Sequence, residues 1–116
     1  MNAFKLLQGY LWVPHELGET VVQTLPEEWA EHPHGQLVEG AIQVLVGAIQ
    51  SPRAFFENGE PTAGYQFYQV TVVARTLLGS ADLKPVSVWA SQQLDPVLNA
   101  TPPQVGWLIM EDLRPV

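Results

Sequence analysis

QLVEGAIQVLVGAIQ, residues 36–50, is the stretch of this 116-residue chain with the sharpest hydrophobic periodicity. At the roughly 100° per residue of an α-helix, Leu37, Val38, Ala41, Ile42, Val44, Leu45, Ala48 and Ile49 share one contiguous arc. Gln36, Glu39, Gly40, Gln43, Gly47 and Gln50 fall opposite, and only Val46 lies on the border. That sorting predicts one main amphipathic helix over residues 36–50. Its polar side is unusual, with glutamines and glycines where a solvated face carries lysine and arginine. Glycine inside a helix costs about 1 kcal/mol relative to alanine. Gly40, Gln43 and Gly47 on one stripe therefore suggest close approach by another backbone, either a neighbouring element or a second copy of the chain.

The same residues admit a strand reading. Val38, Ile42, Val44 and Val46 are good strand formers, and Glu39-Gly40 suits a turn between short strands. Read that way, HPHGQLVEGAIQVLVG resembles the first motif of the cupin barrels, in which a His-x-His pair and a following glutamate hold a metal. The resemblance implies an all-β barrel or sandwich. Against the motif, Glu39 would have to serve as both the ligand and the acid of the following turn, and the glycines are displaced.

Length and composition bound the rest. A chain of 116 residues, 47% hydrophobic and 15% charged, suits a single folded domain over residues 1–116. Ten prolines and nine glycines favour short elements and many turns. The absence of cysteine excludes disulfides, thiolate metal sites and cysteine nucleophiles. No run reaches the length of a membrane span, and MNAFKLLQGYLWVP lacks a signal-peptide cleavage site, so a cytoplasmic protein without membrane contact is expected. The net charge is −7, with no lysine or arginine between Lys5 and Arg53. Phosphate recognition needs a basic footprint, and the five basic residues are scattered, which argues against direct nucleic-acid binding.

Outward from the 36–50 stretch, Phe4–Val13 reads as a strand ended by Pro14, and Thr20–Thr24 as a short strand. Thr24-x-x-Glu27 has capping-box spacing, which predicts a short helix anchored by Trp29 and broken at Pro33. Residues 53–57 read as a strand before an Asn58-Gly59 turn. Tyr65–Leu78 is the strongest strand, with Tyr68, Val70, Val72, Ala74 and Leu78 on one face. Alternation of Val86, Val88 and Ala90 predicts a further strand over Lys84–Gln92, and Asp95–Pro103 reads as a turn-rich connection. Gln104–Met110 is the last strand, and EDLRPV a frayed tail. The expected architecture is α+β: an antiparallel sheet of four to five strands with the 36–50 helix on one face.

Chemistry is sparse. His32 and His34 flank a proline in EHPH beside Glu31, and His15-Glu16 could approach them, but no third metal ligand is fixed by spacing. No metal, cofactor or catalytic residue is assigned. No nucleophile elbow or phosphate loop is present, and Glu27 with Glu31 makes a carboxylate pair suited to a solvated surface. The aromatic set is the better clue, because aromatics on both faces of several strands exceed what one core face needs. Tyr10, Trp12, Trp89 and Trp107, with Gly40, Gln43 and Gly47, are the expected binding residues. The function expected is a non-enzymatic protein-interaction module, in an adaptor, inhibitor, immunity or assembly role, with a protein partner and self-association as a homo-oligomer. The alternative is a small-molecule site or enzyme in a pocket between helix and sheet, using His15, His32 or His34.

Overall fold

A computed structural model describes residues 2–49, 64–100 and 105–116. The strand expected over 53–57 and most of the loop after it lie outside the described residues. The elements are β1 (Asn2–Pro14), α1 (Gly18–Thr24), β2 (Glu28–Trp29), β3 (Glu39–Ala48), β4 (Tyr65–Thr76), α2 (Ser80–Asn99) and β5 (Gly106–Pro115). The strands form one five-stranded sheet in the order β2-β3-β4-β1-β5. Every pairing is antiparallel. β1 and β3 therefore run parallel across β4, and β4 and β5 run parallel across β1, which makes two split β-α-β units. The α+β class is as expected, but the main helix lies elsewhere in the chain.

Residues 39–48 are the strand β3, not part of a helix. Ile42 and Val44 are buried and Val46 half-buried, alternating with exposed Gln43, Leu45 and Gly47, a period of two. The helical arc was real arithmetic on an apolar-rich segment. The β-branched run decides against it, because Ile42, Val44 and Val46 lose side-chain freedom in a helix and suit a strand.

The helix that covers the sheet is α2, where a strand was expected over Lys84–Gln92. Leu83, Val86, Ala90, Leu94 and Leu98 recur at three- and four-residue spacing, and all are buried. Pro85 and Pro96 lie inside this helix. The alternation of Val86, Val88 and Ala90 pointed to a strand, and an interior proline, which removes a backbone hydrogen bond, costs a helix about 3 kcal/mol. Both prolines sit on the exposed side, so the apolar stripe is unbroken.

Smaller elements also differ. Thr20–Thr24 is helical, the end of α1. Thr24 does not cap a following helix; its hydroxyl donates back to the Val21 carbonyl at 2.6 Å. Glu28–Trp29 is a two-residue strand against Gln43 and Ile42, so the short helix is absent. β5 runs on to Pro115, and the tail is a sheet edge.

Strand β1, between β4 and β5, carries a bulge. Its register shifts between Lys5 and Leu7 against both neighbours, β4 and β5. The extra residue lets Leu6 and Leu7 both turn inward, at 0% and 1% exposure, and resets the alternation so that Leu11 and Val13 also point into the core. At the bulge the Leu6 carbonyl accepts a hydrogen bond from the Ser87 hydroxyl of α2, at 3.0 Å and fully buried. Thr76 plays a similar part at the end of β4, donating to the Leu37 carbonyl at 2.8 Å. Val21, Leu25 and Val38 complete the same core.

Replacing Ser87 with alanine leaves a buried carbonyl unpaired and should cost about 1–3 kcal/mol. Chemical denaturation should show that loss for Ser87→Ala and less than about 0.5 kcal/mol for the more exposed Gln92→Ala.

Candidate functional site: the open sheet face and the histidine corner

Because α2 lies on one face of the sheet, the other face is left to the outward residues of each strand. On β1 these are Lys5, Gln8, Tyr10 and Trp12. Opposite them stand Phe67, Gln69, Thr71 and Val73 of β4, and Leu108, Met110 and Arg114 of β5. Gln43, Leu45 and Gly47 continue the face on β3. Leu45, Leu108 and Met110 are 52%, 49% and 45% exposed on it.

The polar groups of this face form a line. Asp112 binds Lys5 at 2.9 Å and Arg114 at 3.3 Å. Lys5 donates to the Gln8 side-chain oxygen at 2.6 Å, and the Gln8 amide donates to the Tyr10 hydroxyl. Partly exposed ion pairs contribute little stability, about 0–1 kcal/mol; the effect of this line is to fix side-chain positions across β1 and β5. At the other end of the face, Phe67 is buried directly opposite Trp12. The Trp12 indole lies over the backbone of Gly106, its partner on β5, where any side chain would collide with the ring.

Four of the expected binding residues, Tyr10, Trp12, Gln43 and Gly47, thus come together on one face. The remaining three do not. Trp107 turns inward and packs against the core. Gly40 adopts φ +73 at the start of β3, a left-handed conformation that suits glycine. Trp89 lies on α2, in a separate ring cluster.

That cluster is the second feature, and the sequence signal for it was EHPH. Trp89 meets Trp29 edge-on, with centroids 5.3 Å apart. His34 stands 6.1 Å and His32 6.2 Å from the same indole. His32 Nδ1 accepts the backbone N–H of His34 at 3.2 Å, and Nε2 lies 2.8 Å from the Gly40 carbonyl. A carbonyl can only accept, so the ring is neutral with its proton on Nε2. Both nitrogens are then engaged within the protein, and His32 presents no lone pair to a metal. His15 lies beyond Pro14 and is bonded to Gly64, at the opposite end of the sheet from the Leu37–Thr76 contact. The three histidines therefore form no common site. Among the described residues no group of three or more metal-ligating side chains is present. A cleft of about 830 Å³ opens beside His32, walled by Glu31, Leu37, Glu39 and Leu77, and a shallower groove of about 650 Å³ beside His34 includes Lys84, Val88 and Trp89.

A match to a family of proteins of unknown function, DUF3208, extends over residues 1–116. The chain belongs to the DUF3208 family. No curated protein matches this DUF3208 chain. Among its described residues no helix is long and apolar enough to cross a membrane.

Burial, and then the charge of the neighbouring His32, lower the His34 pKa below its ordinary 6.5. The folded state binds that proton less readily than the unfolded state. The resulting stability is complete above about pH 6.5 and is lost as pH falls through the lowered value. Urea midpoints for the protein should fall across that window, and His34→Gln should flatten the fall. Gly106→Ala should displace the Trp12 indole, seen as a shifted tryptophan emission and easier acrylamide quenching, at a cost of about 1–3 kcal/mol.

Proposed function

We propose that this chain is a protein-interaction module that acts by self-association, with the open face of the sheet seated on the same face of a second copy. One observation carries the reading: Leu45, Leu108 and Met110 stand exposed on a face whose centre has no charged side chain. Charges occupy only its margins, with Glu28 on the β2 edge and Lys5, Glu39, Arg75, Asp112 and Arg114 at one end. Leu108 and Met110 stand together beside Tyr10, and Leu45 lies across Thr71 and Gln8 from Met110 on the same face; grouped exposed hydrophobics mark contact surfaces. Two sheets packed face to face bury such a layer at about 10 Å separation.

A second copy is the occupant favoured by charge. Chains of net charge −7 repel one another over most of their surface, so a stable contact between them favours a face without acidic side chains. At the charged margin Lys5 and Arg114 are paired with Asp112, and Arg75 stands opposite Glu39, so little uncompensated acid remains there. Tyr10 and Trp12 supply aromatic area of the kind enriched at interface centres. The adaptor, inhibitor, immunity or assembly role and the cytoplasmic setting belong to the same proposal and rest on the sequence alone.

Sedimentation over a range of concentrations tests it. The protein should approach twice the chain mass, and Met110→Glu or Leu45→Glu should weaken association at least about 30-fold while the circular dichroism spectrum is retained. Val88→Glu, on the exposed side of α2, should leave it unchanged. A monomer at all concentrations, or equal loss from Val88→Glu, would contradict the reading.

A further inference from the structure

The EHPH turn separates two spaces. His32 lines the larger cleft, while Pro33 and His34 line the groove along α2. The turn is held from three sides. His32 spans from the His34 amide to the Gly40 carbonyl on β3, and the rings of both histidines rest on Trp89. Beyond it, the Leu37 and Val38 amides donate to the His34 carbonyl, and Thr76 fixes Leu37 to the end of β4. Trp29, paired with Ile42, fixes the near end. The stretch between Trp29 and Leu37 is therefore anchored at both ends and fastened in the middle by imidazoles.

We propose that the His32–His34 turn is a proton-operated latch: with neutral rings it closes the wall between the two clefts, and protonation releases it. The chemistry follows from the donor count. A proton taken from solvent onto His32 Nδ1 makes both ring nitrogens donors. The Nε2–H bond to Gly40 survives, but Nδ1–H then faces the His34 N–H, donor against donor, and the bond that shapes the turn is lost. Protonating His34 adds a second positive charge in a partly buried position beside the first, which favours the same release. The charged groups facing the pair are Glu31 and Glu39 in the cleft beside His32, and Lys84 in the groove beside His34. Trp89 of α2, itself packed against Trp29 of β2, faces it without charge. Release joins the two clefts and uncovers the indole of Trp89, converting a closed corner into an aromatic-walled opening.

Nitrogen-15 NMR of the full-length protein tests the latch in two steps. Before acidification the His32 ring should show a protonated Nε2 and an unprotonated Nδ1, and the titration is followed downward until both nitrogens are imidazolium-like. In the same titration the His34 amide, corrected for intrinsic exchange, should exchange about 10-fold faster or more, while the amides of β1 and β4 keep their protection. His32→Asn, whose side-chain oxygen accepts the His34 N–H at any pH, should keep the turn closed at the acid end of the same titration. The proposal is overturned by the opposite tautomer at neutral pH, by a turn that stays ordered after both rings have titrated, or by release only together with the whole sheet. Should the variant not fold, the wild-type titration alone decides.

Discussion

The bulge at Leu6 and the hydrogen bond it makes to Ser87 set the arrangement of everything else. β1 is the strand between β4 and β5, so its pleat dictates which side chains of the sheet face the helix. Without the extra residue, either Phe4 and Leu6 or Leu7, Leu11 and Val13 would point to the wrong side, because a shift of one residue flips a strand's faces. The bulge resolves that conflict but releases a carbonyl from the ladder. Ser87, set in the apolar stripe of α2, supplies the missing donor and thereby fixes the register of helix on sheet. Sheet parity, helix position and polar satisfaction are one coupled solution.

Two consequences follow from seating α2 there. One face of the sheet is closed by leucine, valine and alanine side chains, and a cavity lined by Leu11, Val70, Leu94, Leu98 and Ile109 measures about 10 Å³. The other face keeps Tyr10, Trp12, Leu45, Leu108 and Met110 without a helix of the same chain over them among the described residues. At the corner where α2 passes β2, Trp89 provides the platform on which the histidine turn rests. The proposed association surface and the proposed latch are separate products of the same helix placement, and neither depends on the other.

The sequence made some of this legible and concealed the rest for physical reasons. β1 and β4 stood out because β-branched and aromatic residues alternate there and Pro14 marks an end. β3 was hidden because exposed Leu45 and half-buried Ala41 add apolar residues that a helical wheel sorts as neatly as a strand sorts them. The β-branched residues Ile42, Val44 and Val46 were the signal that argued for the strand. α2 was hidden by its prolines, although Leu83, Val86, Ala90, Leu94 and Leu98 already carried a helical period. Of the expected binding residues, Tyr10 and Trp12 were named as strand aromatics and Gln43 and Gly47 as the polar side of a helix; the sheet sets all four on one face, while Trp107 packs against the core. The bond from Ser87 to Leu6 joins residues 81 positions apart and has no local signature. The role of His32 likewise depends on a glycine carbonyl that only the fold brings within reach.

The account turns on what meets the open face. A sample mixing isotope-labelled and unlabelled chains, observed by filtered intermolecular NOE spectroscopy, reads that contact directly through the Met110, Leu108 and Leu45 methyl groups. Self-association through this face predicts cross-peaks from these methyls to Tyr10, Trp12 or one another in the second copy. Cross-peaks confined to side chains of α2, or none at concentrations where the chain is associated, would contradict it.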